Sequence, residues 1–164
     1  MDIDVSTKNL QQCADAVMRL RAEYLFAQQK FNDILFTDNG TKYQFNLPYN
    51  RTNFTSYLER VFGMCGSASL SKQLKAVNDF SNIKAGDVLI KGGFPGHVVI
   101  IMLVAKNDTG NKIYLMAQSY MPAQDIHVLQ NPSNKNLSPW YEVNEEDKII
   151  TPEYLFYKNQ LKEW

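Results

Sequence analysis

From Leu10 onward, apolar residues recur at spacings of three and four: Leu10, Cys13, Ala14, Val17, Leu20, Tyr24 and Phe31, with a slip near the end. That period places them on one face of a helix turned toward a core. Ser6 or Thr7 reads as its N-cap, through a side-chain oxygen that accepts an orphan backbone N–H. The helix is predicted to stop near Lys30. Asp15, Arg19 and Glu23 lie four apart on another face, where charge pairs give weak support. Ile34 to Phe36 is a short apolar run closed by the turn signal Asp38-Asn39-Gly40, and a loop containing Pro48 follows. Phe54, Tyr57, Leu58 and Val61 repeat the helical spacing behind Thr52 or Asn53 as cap. Gly63, Gly66 and Ser67 break that helix, and Leu70, Leu74 and Val77 mark a shorter one.

The period then changes. Residues 87–91 read as a strand, and the Gly- and Pro-rich segment 91–96 as a loop. His97 opens the run Val98 to Ala105, which is β-branched and short enough for a buried strand. Asp108-Thr109-Gly110 turns the chain into a strand over 112–119, and Ile126 to Leu129 form a short fourth. The tail from Pro152 to Trp164 is amphipathic and fits helix or strand. Helices first and an antiparallel meander second predict an α+β fold. The length of 164 residues fits one domain, 1–164.

Charge narrows the function classes. Lys plus Arg total 17, and so do Asp plus Glu. No basic excess is present, which argues against nucleic-acid binding and against an electrostatic membrane anchor. The longest apolar run is too short to span a bilayer, and Met1-Asp2-Ile3-Asp4 lacks the basic and apolar regions of a signal peptide. The chain as written reads as soluble. Two cysteines, Cys13 and Cys65, and two histidines, His97 and His127, are too few and too scattered for a structural metal site, and no cofactor motif occurs.

Candidate chemistry centres on Cys13. A cysteine at a helix start meets unpaired N–H groups and the positive end of the dipole, which favour the thiolate. If the regular helix begins nearer Gln11 than Ser6, Cys13 stands at the N-terminus proper. His97 is the better base, because the sheet fixes its backbone while the preceding loop leaves its ring reachable. Gln118 lies toward the end of the next strand, opposite the start of the first in an antiparallel pair, and is placed to orient the imidazole. Gln12, Gly93, Ser119 and Tyr120 are candidates for lining a substrate cleft. Plainer readings stand beside these. Cys13 also fits the apolar stripe of a core helix, His97 a strand-start histidine bonded to a loop carbonyl, and Gln118 an amide tying two strands. Cys65 reads as a packed loop thiol, and His127 lacks a cysteine partner.

The order of a cysteine on the first helix, Gly86-Asp87-Val88 opening a strand, Gly96-His97-Val98-Val99 opening the next, and a polar residue on the third resembles the NlpC-type and CHAP-type papain-like cysteine hydrolases. More closely, several segments resemble an uncharacterised family of Bacteroides-type bacteria, a domain of unknown function, from Leu10 to the end. They are Gln12-Cys13-Ala14-Asp15-Ala16-Val17, Gly92-Gly93-Phe94-Pro95-Gly96-His97, Ala117-Gln118-Ser119-Tyr120-Met121-Pro122-Ala123-Gln124 and Pro139-Trp140-Tyr141. The first resemblance implies a papain-like core in which Cys13, His97 and Gln118 hydrolyse or transfer an amide of a peptide-like, cell-wall substrate without metal or organic cofactor. A catalytically silent peptide- or sugar-binding domain on the same scaffold is the alternative. The second implies an upstream segment, with an extracytoplasmic location if that segment carries an export signal. Gln12 and Ala14 depart from the Asp or Ser and small polar residue that flank the cysteine in many NlpC-type enzymes. Gln11 or Gln12 can instead donate an amide N–H to a developing negative charge.

Overall fold

The computed structural model describes residues 8–164. Helix α1 runs Cys13–Ala27. Its start is later than the apolar period suggests, and the predicted caps Ser6 and Thr7 lie outside the described residues. Residues 10–12 lie outside the helix, with Gln12 N–H donating to Leu10 O at 3.0 Å, because Gln11 is tied elsewhere. Its side-chain oxygen accepts from Arg19 Nη1 at 2.5 Å, and its carbonyl oxygen lies 3.1 Å from Ser119 Oγ. Gln12 is the N-cap residue, and its own N–H donates to Asp15 Oδ2 at 3.0 Å, the backward half of a capping box. The C-terminus closes through Gln29 at φ +56, with Lys30 N–H donating to Leu25 O.

A hairpin of β1 (Leu35–Asp38) and β2 (Thr41–Gln44) follows, turned by Asn39 and Gly40 at φ +44 and +85. Two consecutive positive φ values define the tight turn that matches strand twist, and Asn-Gly is the pair that tolerates it. Helix α2 (Arg51–Met64) is capped by Asn50, whose side chain accepts from Asn53 N–H at 2.9 Å, rather than by Thr52 or Asn53. Helix α3 (Ser67–Gln73) keeps Leu70 inside, and Leu74 ends it.

The second half builds the main sheet. Its strands are β3 (Lys75–Ala76), β4 (Val88–Lys91), β5 (His97–Lys106), β6 (Lys112–Gln118) and β7 (His127–Val128). They are joined by β8 (Tyr141–Glu142) and β11 (Leu161–Glu163), while β9 (Lys148–Ile150) and β10 (Leu155–Tyr157) form a separate hairpin. The order is β3-β11-β4-β5-β6-β7, with β8 pairing β6, and every pairing is antiparallel. The chain is thus α+β. The tail is strand, and β11 enters between β3 and β4.

Alternation along the strands gives the sheet two apolar faces. Val88, Ile90, Val98, Ile100 and Ala117 pack with Ala14, Val17, Phe54 and Leu70 of the helices. Leu89, Val99, Ile101, Met116 and Tyr114 pack on the other side with Phe156, Tyr141 and Leu161. At about 25 cal/mol per Å² of apolar surface, these two layers supply the main favourable term of folding.

Candidate functional site

Cys13 is the first residue of α1 and is half-buried. The backbone N–H groups of Ala14 and Val98 face its sulfur and favour the thiolate, as does its own. Burial outweighs them and, with the Asp15 charge added, pushes the thiol above its ordinary value. The helix-start position therefore does not yield the preformed thiolate that sequence reasoning expected. Desolvation of a charge is the stronger effect here.

Val98 N–H can meet the sulfur because of where the strands part. Pairing between β5 and β6 begins at Ile100 opposite Ala117, and Ser119 then turns away. Val98 and His97 thus lie beyond the paired stretch, and residues 11–13 pass beside this gap. Ser119 seals it from within. Its side chain is fully enclosed, with Oγ 2.7 Å from Gln124 O and 3.1 Å from Gln11 O.

His97 is 3% exposed. It shares parity with Val99 and Ile101, so its ring leaves β5 on the face opposite α1. It lies 5.1 Å from the Tyr154 ring, 5.2 Å from Tyr120 and 6.0 Å from Phe156. Its Nε2 lies 2.7 Å from Gln118 Oε1. Gln118, 1% exposed, donates from Nε2 to Glu153 Oε2 at 2.9 Å. Burial lowers the imidazole below its ordinary value, while the Gln118 bond and the Glu153 charge oppose that. Burial thus favours the neutral form of both thiol and imidazole, and no hydrogen bond joins them. They reach the end of the sheet from opposite faces.

The remaining candidates have other partners. Gln12 is half-buried, with its side-chain amide 3.5 Å from Asn9 O. Gly93, at φ +122, is held against α3 by its carbonyl, 3.3 Å from Ser67 Oγ. Cys65 is buried at the end of α2, where burial first, then the Asp38 and Asp15 charges, push its thiol up to about 11. His127 is exposed and bonded to Asp125 O. Among the described residues, no group of three or more His, Cys, Asp or Glu is placed to hold a metal ion, and no helix is long and apolar enough to cross a membrane.

Glu153, Tyr154 and Phe156 escaped sequence reasoning. They lie in the amphipathic tail, and only the β9–β10 hairpin carries them onto the His97 face. Thr151-Pro152 stops a helix from running through that point but leaves open one that begins at Pro152, so the local pattern did not decide between helix and strand.

The chain matches the family described as "Domain of unknown function (4846)" over residues 1–50 and 38–163, and it belongs to that family. Neither curated proteins nor solved structures give a match.

Proposed function

For this member of a family with no assigned activity, we propose a cysteine hydrolase or amide transferase with a papain-like core, in which Cys13, His97 and Gln118 act together. The observation that carries the reading is the His97 Nε2 to Gln118 Oε1 contact of 2.7 Å at the start of β5, beside the strand residue whose N–H faces the Cys13 sulfur. A glutamine oxygen on Nε2 leaves Nδ1 to take a thiol proton. In the reaction, Cys13 Sγ attacks a carbonyl carbon and His97 Nδ1 accepts its proton. The imidazolium returns that proton to the leaving amine. Water, deprotonated by His97, then releases the acyl group from sulfur. The backbone N–H groups beside Cys13 favour negative charge at this position and support an oxyanion there. A neutral resting pair suits a site in which substrate completes the thiol–imidazole contact, since catalytic hydrogen bonds are often long before substrate binds. By resemblance, the substrate class is a peptide of the bacterial cell wall.

The opposite-face approach of His97 and the raised thiol favour a second reading, a silent peptide- or sugar-binding domain on the same scaffold. Alkylation by iodoacetamide, read by mass spectrometry, separates the two. The hydrolase reading expects Cys13 to be modified faster than Cys65, and expects His97→Ala to slow Cys13 by roughly 10- to 100-fold, a modest share of what a general base contributes. Labelling of Cys13 that is indifferent to His97→Ala, or absent before unfolding, leaves the binding reading.

A further inference from the structure

We propose that Glu153 is a positioning residue of this site: it holds the Gln118 amide in one orientation, and through it fixes the imidazole hydrogen of His97 on Nε2. Its use in catalysis rests on the hydrolase reading, but its geometry does not. An ionised carboxylate only accepts hydrogen bonds. Glu153 Oε2, 2.9 Å from Gln118 Nε2, therefore identifies that atom as the amide nitrogen and turns the amide oxygen toward the ring. Oε1 is likewise only an acceptor, so His97 Nε2, 2.7 Å away, must carry the hydrogen. A neutral imidazole has one N–H, and Nδ1 is left bare. Turning the amide over would set its oxygen against the carboxylate. Without Glu153 nothing opposes that turn, and both tautomers become accessible.

Glu153 is held in place for this contact. It lies in the turn between β9 and β10, where buried Thr151 accepts from Tyr154 N–H at 3.1 Å and donates its own N–H to Tyr154 O at 2.9 Å. The same turn lays Tyr154 against the imidazole at 5.1 Å, and β10 adds Phe156. The hairpin thus delivers the ring wall and the carboxylate as one unit. Its second effect is electrostatic, because the Glu153 charge favours the imidazolium that forms when His97 takes a proton.

Nitrogen-15 NMR of the histidine-labelled protein tests the assignment, with exposed His127 as internal reference. At a pH where the ring is neutral, His97 in wild type shows a protonated Nε2 and a bare Nδ1. Glu153→Ala mixes the tautomers. Glu153→Gln restores the wild-type pattern, because the new carboxamide oxygen still accepts from Gln118, while the His97 titration moves to lower pH as the charge is lost. An even mixture halves the competent fraction, so Cys13 alkylation by iodoacetamide slows about 2-fold or more in Glu153→Ala and recovers that loss in Glu153→Gln. A hydrogen on Nδ1 in wild type, or an unchanged tautomer in Glu153→Ala, overturns the proposal whatever the labelling shows. A tautomer shift with Cys13 labelling indifferent to His97→Ala supports the positioning role and removes the hydrolase reading.

Discussion

Replacing Asp15 by asparagine tests how burial governs the charges around Cys13. Asp15 is 7% exposed. Oδ2 accepts the Gln12 N–H, while Oδ1 is buried with no partner. Burial raises its pKa from 3.8 to about 7, and the backbone N–H groups of Gln12 and Asp15 only partly oppose this. The folded state therefore holds a proton that the unfolded state has released between about pH 4 and pH 7. Stability is greatest below the unfolded value and declines as pH rises through this window, levelling off above the folded value. A rise of about three units at about 1.4 kcal/mol per unit sets a ceiling of roughly 4 kcal/mol for that decline. Asparagine keeps an oxygen for the Gln12 N–H and does not titrate. Its extra N–H shifts stability by a pH-independent offset, so the slope is the observable. Urea unfolding of both proteins at steps from pH 4 to pH 8 should give a curve for Asp15→Asn flatter than wild type by roughly 2 to 4 kcal/mol across the window. Asp87, also raised by burial, contributes equally to both curves. The Cys13 thiol should also titrate lower in the variant, since the Asp15 charge helps hold it up. Parallel curves would refute the reasoning.

A methyl group at Gly96 would stand 2.3 Å from Ser67 Oγ and 2.6 Å from the Gly93 carbonyl oxygen. Gly96→Ala should therefore destabilise by about 1 to 3 kcal/mol in a thermal melt, and an unchanged Tm would show that the loop yields freely. Asn131 accepts from Ser133 and Asn134 N–H and donates to Trp140 O. Asn131→Ala should cost about 1 to 2 kcal/mol in urea unfolding, because a buried side chain that joins two part-buried backbone N–H groups to a carbonyl is lost. Cys65, raised to about 11, should resist iodoacetamide at pH 7.5 in the folded protein and react only on unfolding, as peptide mass spectrometry would show.

Strong periodicity was legible. The run from Val98 to Ala105 reads as a buried strand, and β5 has that position and length within one or two residues, but its burial ends at Ile101 and Leu103 is exposed. Strand alternation with an antiparallel turn also brings Gln118 to His97. Less visible was the start of α1. Leu10 continues the helical spacing, yet Gln11 is drawn away by Arg19 and Ser119, one eight residues on and the other more than a hundred. The N-cap of α2 lies two or three residues before the position the pattern predicts, because Asn50, Thr52 and Asn53 can all accept a backbone hydrogen and only geometry selects one.

The sequence by itself determined the α+β order, the strands that carry His97 and Gln118, and the short list of groups able to do chemistry, because these follow from local period and residue type. Tertiary structure alone decided the charge states and the company of those groups. Burial depends on what packs from afar: the helices around Cys13, and over His97 a hairpin more than fifty residues downstream. Local pattern carries no record of either, and desolvation sets the protonation of both residues.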